Sequence, residues 1–175
     1  MGPDTGHGAI PESAVEWWQN EGHFSVNTVR INSDTDFANA LINNGKFDQL
    51  VYLGHGVPGA LATSRSIGGN IVSDYGKILK GIKVMDLNFS NLTRSYIGSP
   101  KLILCSCNST VWNVRHGGSI AGSFARATGV GVLGAGAGVS FLKNGEPVIR
   151  NIYAFGNFTD SEVLSGAGGW KVVNP

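Results

Sequence analysis

The stretch Lys101-Leu102-Ile103-Leu104-Cys105-Ser106-Cys107-Asn108-Ser109 decides how this chain folds. A short apolar run that opens after Pro100 and stops in small polar residues reads as a strand buried on both faces, the kind found in parallel sheets. It delivers a cysteine to the strand's carboxyl end. Upstream, Phe47-Asp48-Gln49-Leu50-Val51-Tyr52-Leu53 is a second mostly apolar run and stops at Gly54-His55-Gly56. Before it, Ser33-Asp34-Thr35-Asp36 supplies N-cap residues for a helix with Phe37, Leu41 and Ile42 facing inward, closed by Asn43-Asn44-Gly45. Thr28-Val29-Arg30-Ile31 is expected to be a first strand. Downstream, the pattern predicts a helix over Ser119 to Thr128, a strand over Gly129 to Ala135 and another over Pro147 to Ala154. Residues 57 to 99 read as loops with a hairpin, and Ser73 and Asp74 open a short helix over Tyr75 to Leu79.

Alternation of strands and helices predicts an α/β domain with a largely parallel sheet. Residues 1–27 read as an N-terminal arm, whose Ala14-Val15-Glu16-Trp17-Trp18 stretch makes a short helix with tryptophans over the core edge. Residues 28–175 form the domain proper and end in a polar tail through Trp170-Lys171-Val172-Val173-Asn174-Pro175. At 175 residues and 42% hydrophobic, one core burying roughly 70% of the unfolded surface is expected. The 26 glycines lie among apolar segments without a fixed period, as tight turns and close backbone packing require.

A net charge of +1 gives no long-range field for nucleic acid or an anionic membrane. No apolar stretch of about 18 residues would span a bilayer, and the first residues lack the basic-then-apolar layout of a signal peptide. A soluble chain is therefore expected, with no nucleic-acid or membrane partner. The Met1-Gly2 start is compatible with a module taken from a larger polypeptide. The two cysteines, Cys105 and Cys107, point the same way along one strand and cannot close an ordinary disulfide.

In open parallel sheets, reactive groups collect outside the carboxyl ends of the strands, where both His55 and Cys107 fall. An imidazole is the usual partner of a cysteine nucleophile because its pKa, near 6.5, suits proton transfer at neutral pH. Backbone N–H groups at Gly56 and Cys107 are candidates for an oxyanion hole. Cys105 lies inside the apolar run and reads as a buried, inert thiol. Asp48 and Asp74 have no spacing that marks either as a third catalytic member.

Apolar strand-Gly54-His55-Gly56 followed about fifty residues later by apolar strand-Ser106-Cys107-Asn108-Ser109 resembles the caspase-like cysteine peptidases. Within that superfamily, Gly117 to Leu133 is similar to the helix and strand that follow the nucleophile in CHAT-type members, and the self-cleaving domains of bacterial toxins share the overall pattern. The resemblance covers roughly residues 28 to 140. It implies a single caspase-like domain with a mostly parallel central sheet flanked by helices. It also implies a His55/Cys107 dyad that cleaves protein or peptide substrates without a cofactor, in a bacterial effector or toxin secreted within a longer chain. A domain that cuts its own parent chain, and a silent domain that only binds peptides, are the alternatives. Ser106-Cys107-Asn108-Ser109 stands where caspases carry Gln-Ala-Cys-x-Gly, so aspartate specificity is not implied.

Other signals are weaker. Gly129-Val130-Gly131-Val132-Leu133-Gly134 matches the dinucleotide fingerprint, but a helix precedes it, no helix opens after it, and Arg150 stands where an acid is needed. Cys105 and Cys107 with His116 lack a fourth zinc ligand at any common spacing. Arg115 and His116 read as a surface turn. Trp17, Trp18, Trp112 and Trp170 read as caps on the core.

Overall fold

A computed structural model describes residues 12–22, 25–31, 33–62, 78–93, 101–150 and 169–175. In chain order the elements are α1 (Glu12–Gly22), α2 (Asp34–Asn43), β1 (Leu50–Leu53), β2 (Gly56–Val57), β3 (Ala60–Ala62), β4 (Ile78–Lys80) and α3 (Gly81–Val84). They continue with β5 (Leu102–Cys105), a 3-10 turn (Val114–His116), α4 (Ile120–Thr128), β6 (Val132–Ala135), β7 (Gly138–Phe141), β8 (Pro147–Arg150) and β9 (Trp170–Val173). The chain is thus a mixed α/β fold with a partly parallel central sheet.

That sheet runs β1-β5-β6-β9. β1 pairs with β5 and β5 with β6 in parallel, while β9 closes the order antiparallel to β6. All four residues of β5 are buried, which is why this strand reads as continuously apolar rather than alternating. Leu102, Leu104 and Val132 join Phe37, Leu41, Tyr52 and Phe124 in the main core. Phe124 anchors it, with ring centroids 5.9 Å from Phe37 and 5.8 Å from Phe89. Each fully buried side chain of this size contributes roughly 1.5–3 kcal/mol.

The two principal helices start and stop where side-chain chemistry dictates. The Ser33 hydroxyl accepts the Asp36 N–H at 3.0 Å, and the Ser119 hydroxyl accepts that of Gly122 at 3.0 Å, each satisfying an orphan donor of the first turn. Gly129, at φ +71°, ends α4 by donating to the Ala125 carbonyl at 2.8 Å. The glycines of the apparent dinucleotide fingerprint therefore serve a helix stop and close strand packing. A Cβ at Gly134 would lie 2.7 Å from the Ser109 Oγ.

The structure corrects several sequence expectations. Thr28–Ile31 forms no strand; Val29 is 43% exposed, and of these four residues Ile31 alone packs against the core. Ile42, expected inward, is 50% exposed because the helix presents Phe37 and Leu41 instead. Ile78 and Leu79, expected at the end of a short helix, belong to β4, which pairs with β3 and buries Leu79 completely; Tyr75 lies outside the described residues. The tail expected to be polar forms β9, since Val173 and Trp170 find partners beside β6. Of the strand expected over Pro147 to Ala154, residues 147–150 are β8, paired with the unanticipated β7 outside the central sheet, and 151–154 lie outside the described residues.

The helix expected in the N-terminal arm is α1, and its Ala14 is fully buried. Among the described residues no helix is long and apolar enough to cross a membrane.

Candidate functional site

The parallel register of β1 on β5 ends at Leu53 opposite Cys105. Gly54 extends it by donating to the Cys105 carbonyl at 3.3 Å. Two residues past the last pair, His55 and Cys107 follow on strands whose spacing is about 4.8 Å. The backbones touch here: a Cβ on Gly56 would fall 1.9 Å from the Ser106 Oγ and 2.9 Å from the Cys107 carbonyl oxygen. Only a glycine lets the histidine loop lie this close to the cysteine turn.

Tyr52, buried in β1, fixes that loop. Its hydroxyl donates to the Ala62 carbonyl and lies 3.2 Å from the His55 carbonyl, which also accepts the Ala62 N–H at 2.9 Å. Burial pushes the Tyr52 phenol well above its usual range, so it stays a neutral donor. Gly54 leaves room for it, because a Cβ there would sit 2.3 Å from the Tyr52 oxygen. Sequence reasoning missed Tyr52; its position three residues before His55, on the face that turns inward, is the available signal.

The antiparallel ladder of β2 and β3 also orients Gly56. His55 and Ala62 form a hydrogen-bonded pair, so the next pair, Gly56 and Leu61, is of the non-bonded kind and the Gly56 N–H points away from β3. That N–H is thereby left for something outside the hairpin.

On the cysteine side, the chain leaves β5 by a turn in which Asn108 adopts φ +56°, the single non-glycine residue with positive φ among those described. Asparagine tolerates this left-handed conformation better than most residues. The Asn108 carbonyl accepts the Val111 N–H at 3.0 Å, and the Asn108 N–H donates to Ala137 at 3.0 Å. Cys107 is half-buried, and its Sγ accepts the Val139 N–H at 3.3 Å, with the Val139 carbonyl at 3.9 Å. Leu142 donates to Glu146, so the alternation along β7 makes Val139 and Ile149 a non-bonded pair and turns the Val139 amide outward from β8.

Cys105 is buried, and burial pushes its thiol up to about 12. Ser106 is fully buried with a hydroxyl that has no hydrogen-bond partner among the described residues. Farther along, the Asn113 side chain donates to the Pro58 carbonyl at 2.9 Å, tying the loop after the cysteine to the hairpin after the histidine. Trp112, expected to cap the core, is 67% exposed beside this tie. Arg115 is exposed in the 3-10 turn. Asp48 bonds Thr93 at the opposite end of β1, away from His55, while Asp74 lies outside the described residues. Among the described residues no group of three or more His, Cys, Asp or Glu side chains converges as metal ligands would.

No family model, no curated protein and no solved structure matches this chain.

Proposed function

We propose that this chain is a caspase-like cysteine endopeptidase domain in which His55 activates Cys107. The observation that carries this reading is the β1–β5 pairing, which ends with His55-Gly56 and Ser106-Cys107 side by side at the carboxyl ends of two adjacent parallel strands. In the mechanism, His55 takes the proton from the Cys107 Sγ and the sulfur attacks the peptide carbonyl carbon. The oxyanion is held by the N–H groups of Gly56 and Cys107. The imidazolium then gives its proton to the departing amine as the C–N bond breaks. Water, deprotonated by His55, attacks the thioester, releasing the carboxylic product and returning the proton to sulfur. The substrate is an extended segment of protein or peptide, either in another molecule or in a longer chain that carries this domain, as in a bacterial effector or toxin.

Digestion of a peptide library by the purified protein tests this, with His55→Ala and Cys107→Ala alongside. Cleavage products that vanish in both variants are expected. Products that persist in Cys107→Ala overturn the assignment.

A further inference from the structure

A second place in the molecule carries chemistry that the proposed peptidase site does not use. Residues Ile103 and Cys105 of β5 alternate with the core-facing Leu102 and Leu104, and with Leu133 of β6 they line a cleft of about 170 Å³. Its other walls are three indoles, Trp17 and Trp18 of α1 and Trp170 of β9, with Glu146 and Pro147 at the start of β8. The start of α1 is seated against the turn before β8, where a Cβ on Gly145 would lie 1.9 Å from the Ser13 carbonyl oxygen.

The Trp17 and Trp18 rings stand 4.9 Å apart by their centroids at 89°, so their surfaces form two perpendicular walls. Indole faces carry negative potential and attract cations, and a desolvated cation gains most. Among the described residues, Glu146 is the single charged residue lining the cleft, and no basic side chain lines it to compete for the carboxylate. The Ile103, Cys105 and Leu133 floor offers no hydrogen bonds to an ordinary ammonium, which is strongly hydrated, but it suits N-methyl groups.

We propose that this cleft binds a small quaternary ammonium ion such as choline. The methylated nitrogen sits among the indoles opposite Glu146. The ion is either free in solution or the headgroup of a lipid; the recognition chemistry is the same.

The test titrates the wild-type protein with choline chloride against sodium chloride of equal ionic strength, reading tryptophan fluorescence. Dimethylbutanol, the neutral isostere of choline, and tetramethylammonium, which lacks the hydroxyl, are run in parallel. Saturable quenching by choline is expected, with about tenfold weaker binding of the neutral isostere and of choline to Glu146→Gln. Tetramethylammonium is expected to bind as choline does, because the methylated cation carries the recognition. Quenching by choline that matches the salt control, or equal binding of the neutral isostere, overturns the proposal; the latter leaves only an apolar gap. The comparison of the three ligands on the wild-type protein decides the matter even where a variant fails to fold. Sedimentation with phosphatidylcholine vesicles, reversed by free choline, assigns the lipid headgroup as source; choline binding without sedimentation assigns the free ion.

Discussion

Gly56→Ala places a methyl group 1.9 Å from the Ser106 Oγ and 2.9 Å from the Cys107 carbonyl oxygen. The hydroxyl sits on a fully buried serine and the second obstacle is backbone, so neither yields without moving the turn that carries Cys107. Overpacking of this sort costs about 1–3 kcal/mol, and a chain of this size loses about 2–4 °C in Tm per kcal/mol. A fall of about 2–12 °C is expected, together with slower alkylation of Cys107 as the two loops part. Ser106→Ala alone removes a buried hydroxyl without a partner among the described residues and is expected to leave stability unchanged or raise it by about 1 kcal/mol. In the double variant the nearer obstacle is gone and the farther remains, so Tm recovers in part, with a coupling of about 0.5–3 kcal/mol. Thermal unfolding followed by circular dichroism, with mass-spectrometric labelling of Cys107, reads all three. A Gly56→Ala protein that melts and labels like the wild type would refute the contact between the histidine loop and the cysteine turn.

Val139→Pro removes the N–H aimed at the Cys107 Sγ without deleting a β7–β8 ladder bond; Cys107 labelling near neutral pH is expected to slow about tenfold while Val139→Ala stays unchanged. Asn113→Ala breaks the tie to Pro58 and is expected to cost about 1 kcal/mol in a denaturant titration. Cys105, held neutral by burial with its thiol at about 12, should resist iodoacetamide in the folded protein. Because its folded value is raised, its contribution to stability is complete below the unfolded thiol's value of about 8.5 and declines as pH rises from there toward 12. Cys105→Ala should flatten that decline in urea titrations above about pH 9. Phe124→Ala, which empties the space between Phe37 and Phe89, is expected to destabilise by about 3–5 kcal/mol in the same assay.

The parts of the fold legible from sequence were those with strong local signals. β5 announced itself because burial on both faces leaves an unbroken apolar run, and α2 and α4 because Ser33, Ser119 and Gly129 make caps whose chemistry is local. The exposed Ile42 and the unpaired Thr28–Ile31 were misread because their residue types suit burial or a strand, whereas burial depends on what lies opposite. β9 and the pairing of β3 with β4 rest on contacts between segments distant in sequence, and β7, a short segment that opens on Gly138, carries little periodicity. At the candidate site, the residue types and strand ends indicated His55, Gly56 and Cys107. The holding groups did not emerge, because Tyr52 acts through a hydroxyl bonded ten residues away at Ala62, and Val139 acts through its backbone, which no side-chain pattern marks.

The central claim, that His55 activates Cys107, is tested most directly by the rate of iodoacetamide labelling of each cysteine across a pH series, in the wild type and in His55→Ala. The account predicts that Cys107 is labelled faster than a free thiol well below pH of about 8.5, that Cys105 is spared, and that His55→Ala slows Cys107 toward the free-thiol rate. Labelling of Cys107 at the free-thiol rate in both proteins would contradict it.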